Sequence, residues 1–87
     1  MRTTLDLLGR ALEGQTNVSL ARKLNVYSSA LSKARDRGRL SPILAGQVAH
    51  QLGEDVVYWT AIAALEAERP GPARDKLLRA IRRARNS

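Results

Sequence analysis

Apolar positions recur at helical spacing along the chain and are interrupted by Gly, Pro and Asn, a pattern that predicts an all-α protein of five to six short helices. Thr3 followed by Asp6 is an N-terminal capping pattern, Leu5, Leu8 and Leu12 then mark the inner face of a first helix, and Gly14 ends it. A second helix is expected from about Asn17 to Leu24 and a third from about Tyr27 to Arg37. Ser41-Pro42 is a start signal, a capping hydroxyl followed by a proline whose missing amide costs nothing at the first helical position. Leu44, Val48 and Leu52 give that fourth helix its buried stripe, and Gly53 closes it. Glu54-Asp55 opens a fifth helix, two acids being favoured in a first turn by the helix dipole. Pro70-Gly71-Pro72 then breaks the chain. Residues 1–69 are therefore expected to form the main domain and residues 70–87 a basic C-terminal helix or arm.

The second and third helices carry the most specific pattern. Two short helices crossing at a steep angle need a small residue at the crossing, apolar residues beneath both, and a turn tolerating a left-handed backbone. Ala21 is the small residue, Leu20, Leu24, Val26, Leu31 and Ala34 point inward, and Asn25 is the turn. Between them stand Tyr27, Ser28, Ser29, Ser32, Lys33, Arg35 and Arg37, all able to hydrogen-bond or carry charge. The stretch reads as a helix-turn-helix whose second helix enters a DNA groove.

It also resembles the phage Cro and repressor family. Gly14 to Thr16 (GQT), Ala21, Leu24, Val26-Tyr27, Ser29-Ala30, Lys33-Ala34 and Gly38-Arg39 stand at the offsets of the Cro signature, over roughly a quarter of the chain. The resemblance implies DNA binding, a phage or prophage origin, and a second-helix start at Asn17 directed at a phosphate. Past Arg39 it stops: Cro continues in strands and this chain in helical patterns. Small all-helical phage regulators are thus the expected relatives, and the family's dimer mode is not carried over.

Charge sharpens the picture. The 15 basic and 8 acidic residues give a net charge of +7, which favours a polyanionic partner. Residues 1–39 hold 8 basic and 3 acidic side chains, residues 40–71 hold 1 and 4, and residues 72–87 hold 6 and 1, so two basic ends flank an acidic middle. Cysteine is absent, which excludes a disulfide framework, a thiolate metal site and a cysteine nucleophile. His50 is the only histidine, with no second ligand type at a suitable spacing, so it reads as a surface or interface residue. The acidic residues are explained by helix starts, leaving no constellation for an enzyme, a metal or another cofactor. The N-terminal apolar residues are too interrupted for a signal peptide and the run from Val56 to Leu65 is too short for a membrane span, so a cytoplasmic protein at the nucleoid of a bacterial host is expected, without a membrane partner.

Roles for the interface follow from docking geometry. Side chains near the start of a groove helix reach base edges and flanking basic ones reach phosphates. The expected base-reading set is Tyr27, Ser28, Ser29, Ser32 and Lys33, with Lys33 the strongest reader because an ammonium meets the O6 and N7 acceptors of guanine. Serines donate or accept and discriminate weakly, and Tyr27 either contacts DNA or lies over the turn. The expected phosphate set is Asn17, Arg22, Lys23, Arg35, Arg37 and Arg39, although Arg22 and Lys23 read equally as a solvated face and the last three also suit a helix C-terminus.

Two regions stay open. Between Val56 and Ala64 only Thr60 and the tyrosine hydroxyl are polar, so the fifth helix is either central to the bundle or partly an intersubunit surface. Tyr58 and Trp59 point about 100° apart and need neighbours on two sides, which makes Tyr58, Trp59 and Ile62 candidates for a homodimer interface. The last segment has Leu77, Leu78 and Ile81 on one side and arginines elsewhere. It is a core-capping helix, an arm on DNA phosphate or, least fittingly because its apolar face is narrow, a membrane-surface helix. The function expected is sequence-specific binding of double-stranded DNA by a homodimeric transcriptional regulator, a repressor by preference. The alternatives are a factor that engages a host or phage protein through the fifth helix, and an architectural factor in excision or replication.

Overall fold

The computed structural model describes residues 3–85, which form six α-helices and no strand. They are α1 (Thr4–Ala11), α2 (Asn17–Leu24), α3 (Ser28–Arg37), α4 (Pro42–Leu52), α5 (Val56–Glu66) and α6 (Pro72–Arg85). Met1, Arg2, Asn86 and Ser87 lie outside the described residues. No described helix is long and apolar enough to cross a membrane.

Local chemistry sets the helix ends. Thr3 and Asp6 exchange side-chain and backbone hydrogen bonds in a full capping box, so the shorter Asp serves where Glu is usual. Thr16, Ser41 and Asp55 cap α2, α4 and α5 through their side-chain oxygens. Asn25 terminates α2 in the left-handed region at φ 58°, and the amide of Val26 reaches back to the Ala21 carbonyl, a Schellman-type closure.

The core is a single cluster of Leu, Ala, Val and Ile side chains around Trp59. In α1 the inner face is Thr4, Leu7, Leu8 and Ala11, an i, i+3, i+4, i+7 stripe, rather than Leu5, Leu8 and Leu12. Leu5 is partly exposed and Leu12 half-buried. Gly46 of α4 is buried against α5, and an added Cβ there would lie 2.8 Å from the Thr60 hydroxyl oxygen. Glycine leaves room there for the Thr60 and Val56 side chains of α5.

Trp59 and Ile62 are fully buried and Tyr58 nearly so. The second neighbour that α5 requires is α6 of the same chain. Leu78 and Ile81 pack against the core, the Arg74 Nε donates to the Leu65 carbonyl at 2.8 Å, and the Arg85 guanidinium sits 4.4 Å above the Tyr58 ring and 5.7 Å from that of Trp59. The expectation of Tyr58, Trp59 and Ile62 as a subunit interface is therefore corrected, because these side chains are interior to the protomer. The two aromatic rings meet edge to face with centroids 5.1 Å apart.

Glu54 ties these elements together. It precedes the capping residue Asp55 and so lies outside the first turn of α5, and its carboxylate accepts from Arg10 of α1 and, at 3.1 Å, from Arg85 of α6. The Arg10 hydrogen bond is the main reason its carboxyl is held below the usual carboxylate range, against the opposing effect of burial. The charges of Arg10 and Arg85 act in the same direction. So does the Trp59 indole N–H, which makes no hydrogen bond of normal geometry.

Candidate nucleic-acid interface

The α2 and α3 helices are held by the turn Asn25-Val26-Tyr27 and by residues outside both. Leu20, Ala21, Leu24, Leu31 and Ala34 are buried and Val26 is half-buried, so the predicted inward positions face the core. Two glutamines fix the pair to the bundle. Gln15 donates from Nε2 to the Ala11 carbonyl and accepts from the Ser19 hydroxyl, linking the end of α1 to the start of α2. Gln47 of α4 donates to the Leu24 carbonyl at 3.2 Å, satisfying a free group at the end of α2. Helical periodicity does not reveal either role, since both depend on which helix end the fold brings near.

Only Leu31 and Ala34 of α3 are buried, which leaves the helix projecting from the body along most of its girth. Successive residues turn by about 100°. Opposite the buried pair, the crest of the helix is Ser29 and Asp36, with Ser32 and Lys33 on either side; all four are exposed. Ser28 is also exposed and starts the helix beside Tyr27, which is 84% exposed and is the N-cap residue rather than the first helical one. Tyr27 offers no side-chain cap, and no acidic residue stands in the first turn, so that helix end keeps its positive dipole.

The arginines divide between the two flanks of α3. Arg37 lines one groove with Tyr27, Ser29, Lys33 and the start of α4, while Arg35 lines another beside Leu5, Leu8, Gly9 and Leu12. Both are exposed, whereas Arg39 is half-buried behind the helix end, its amide bonded to the Ala34 carbonyl. On α2, Arg22 points outward, but Lys23 lines a groove between α4 and α5 with His50 and Val56, away from the crest of α3. Asn17 is the first helical residue, half-buried, and its Oδ1 is enclosed without a hydrogen-bond partner. Ser19 turns toward Gln15, and Val18 takes the exposed position.

No family model, curated protein or solved structure matches this chain. The exposed surface of α3 has a distinct geometry.

That geometry is a convex polar ridge bearing hydroxyls, one ammonium and one carboxylate, with a guanidinium on each flank. A helix with its side chains is about 10–12 Å across, close to the width of a B-DNA major groove, about 12 Å. Asp36 is the member of the ridge that the sequence pattern passed over. It falls seven residues after Ser29 and four after Ser32, the register that puts it on the same face.

Proposed function

We propose that the chain is a sequence-specific regulator of transcription that binds double-stranded DNA, using α2 and α3 as a helix-turn-helix with α3 in the major groove. The carrying observation is the projection of α3: a helix with two buried residues, a hydrogen-bonding crest and an arginine on each flank has the form of a groove reader. Ser28, Ser29, Ser32 and Lys33 read bases, Tyr27 flanks them, and Arg35 and Arg37 hold the phosphates of the two groove walls. Arg22 and Asn17 approach the backbone from α2. The resemblance of residues 14–39 to the Cro and repressor family supports the same reading and suggests a phage or prophage regulator, preferably a repressor, acting at the nucleoid of its bacterial host.

A mostly serine reading face discriminates modestly, so the regulator acts as a homodimer on a two-fold operator. Pairing uses surface side chains. Ile43 and Val57, each 79% exposed, are the most exposed aliphatic side chains among the described residues, and are the groups offered for it once Trp59 and Ile62 are assigned to the core. The same exposed pair favours a second reading, in which the protein engages a host or phage regulator through α4 and α5.

Selection of duplex DNA from a randomised pool, followed by footprinting and sedimentation of the complex, tests the proposal. The expected result is a protected site with two related half-sites about 10 base pairs apart centre to centre, or a multiple of that, occupied by two protomers. Failure to retain any duplex at moderate salt, together with a stable complex with another protein, would favour the second reading.

A further inference from the structure

On the basis of the proposed groove reading, we infer that Asp36 is a specificity-determining residue that selects a cytosine through its exposed amino group. Asp36 shares the crest of α3 with Ser29, between the lines of Ser32 and Lys33, and is exposed. Lys33 lies three residues before it and Arg37 and Arg35 beside it in sequence, yet among the described residues its carboxylate forms no ion pair and no hydrogen bond. A helical carboxylate with basic neighbours ordinarily serves as an intrahelical partner. This one is left free on the exposed crest of α3.

An ionised carboxylate accepts hydrogen bonds and donates none. In a major groove it meets phosphates and the acceptor edges of guanine and thymine with repulsion, and it is satisfied by the N4 amino group of cytosine. Adenine offers an amino donor too, but presents the N7 acceptor beside it, which a carboxylate cannot match and an amide can. Asp36 thus adds a requirement that Ser28, Ser29 and Ser32, which donate or accept alike, cannot impose. It also penalises DNA lacking the cytosine, because the carboxylate then sits unpaired within a phosphate-walled groove.

The test compares the full chain with Asp36→Asn and Asp36→Ala in selections from the same randomised duplex pool, with circular dichroism to establish that the exposed substitutions leave the fold intact. The wild-type protein is expected to favour cytosine about tenfold at one position of each half-site. Asp36→Asn moves that preference to adenine, and Asp36→Ala removes it while raising affinity for unrelated duplex severalfold. Identical base profiles for all three proteins, at every position of a selected site, would overturn the role of Asp36 and leave the DNA-binding reading standing. No selected site from the wild-type protein would overturn both.

Discussion

The hydroxyl of Thr4 donates to the carboxylate of Glu66, a residue 62 positions further along the chain, and in turn accepts from the amide of Leu40 at 2.9 Å. The Glu66 carboxylate also accepts from the Thr4 amide at 2.9 Å, so the first turn of α1 is closed by the last residue of α5. One fully buried threonine thereby joins α1, α5 and the α3–α4 linker. Replacement Thr4→Val keeps the shape but leaves the Leu40 amide without its acceptor and one Glu66 oxygen without its donor. The expected cost is about 2–3 kcal/mol, seen as a lower denaturant midpoint at unchanged slope, with Thr4→Ser recovering most of it.

Glu54 predicts a pH dependence of known sign. Its folded-state pKa is lowered, chiefly by the Arg10 hydrogen bond, so the stability it contributes is present at neutral pH and is lost as the pH falls through that lowered value. At pH 7, Glu54→Gln is expected to cost about 1 kcal/mol, or roughly 4–8 °C in Tm for a domain of this size. The gap between the two proteins should begin to close as the pH falls past the ordinary glutamate value of about 4.3 and should vanish only below the lowered folded-state value. Hydrogen exchange should locate the loss in α6, which Arg85 ties to Glu54, and a gap between variants that persists in acid would contradict the assignment.

The side chains of α5 leave no room for one at residue 46 of α4. Gly46→Ala places a methyl group against the Thr60 hydroxyl, at a contact too short to keep without movement, and should destabilise by about 1–3 kcal/mol despite the better helix propensity of alanine. Removing the obstruction with Thr60→Ala should restore much of the loss. A thermal-melt double-mutant cycle measures the coupling, and additive effects would mean that the helices separate by another route.

The two basic residues on the α4 side of the α3 face should behave differently on DNA. Lys33→Ala is expected to relax preference at one base pair, with a loss of about 1–3 kcal/mol confined to the cognate site. Arg37→Ala is expected to weaken cognate and unrelated duplex alike and to reduce the salt slope by about 1. Fluorescence-anisotropy titrations over a series of salt concentrations separate the two, and equal losses on every sequence for Lys33→Ala would remove it from the reading set.

Much of this protein follows from local chemistry. Caps and breakers act within a few residues, so Thr3 with Asp6, Ser41-Pro42, Asn25, Gly53 and Pro70-Gly71-Pro72 delimit the helices in the sequence itself. The spacing of Leu20, Ala21, Leu24, Leu31 and Ala34 likewise identifies the α2–α3 pair and its outward residues, because an α-helix gives each side chain a direction. What periodicity could not supply was which helix meets which. A run such as Val56 to Leu65 states that α5 is covered on more than one side but not by what, and the tertiary structure assigned that role to α6, turning Tyr58, Trp59 and Ile62 from a candidate subunit surface into core. The partners of Thr4, Gln47 and Glu54 were equally hidden, since each is a polar group satisfied across a distance in sequence that only the packed chain closes. The flank on which each basic residue stands was decided in the same way, with Arg35 turned to α1, Arg37 to α4 and Lys23 to the α4–α5 groove, because a helix's neighbours, and not its own period, determine which of its sides reaches solvent.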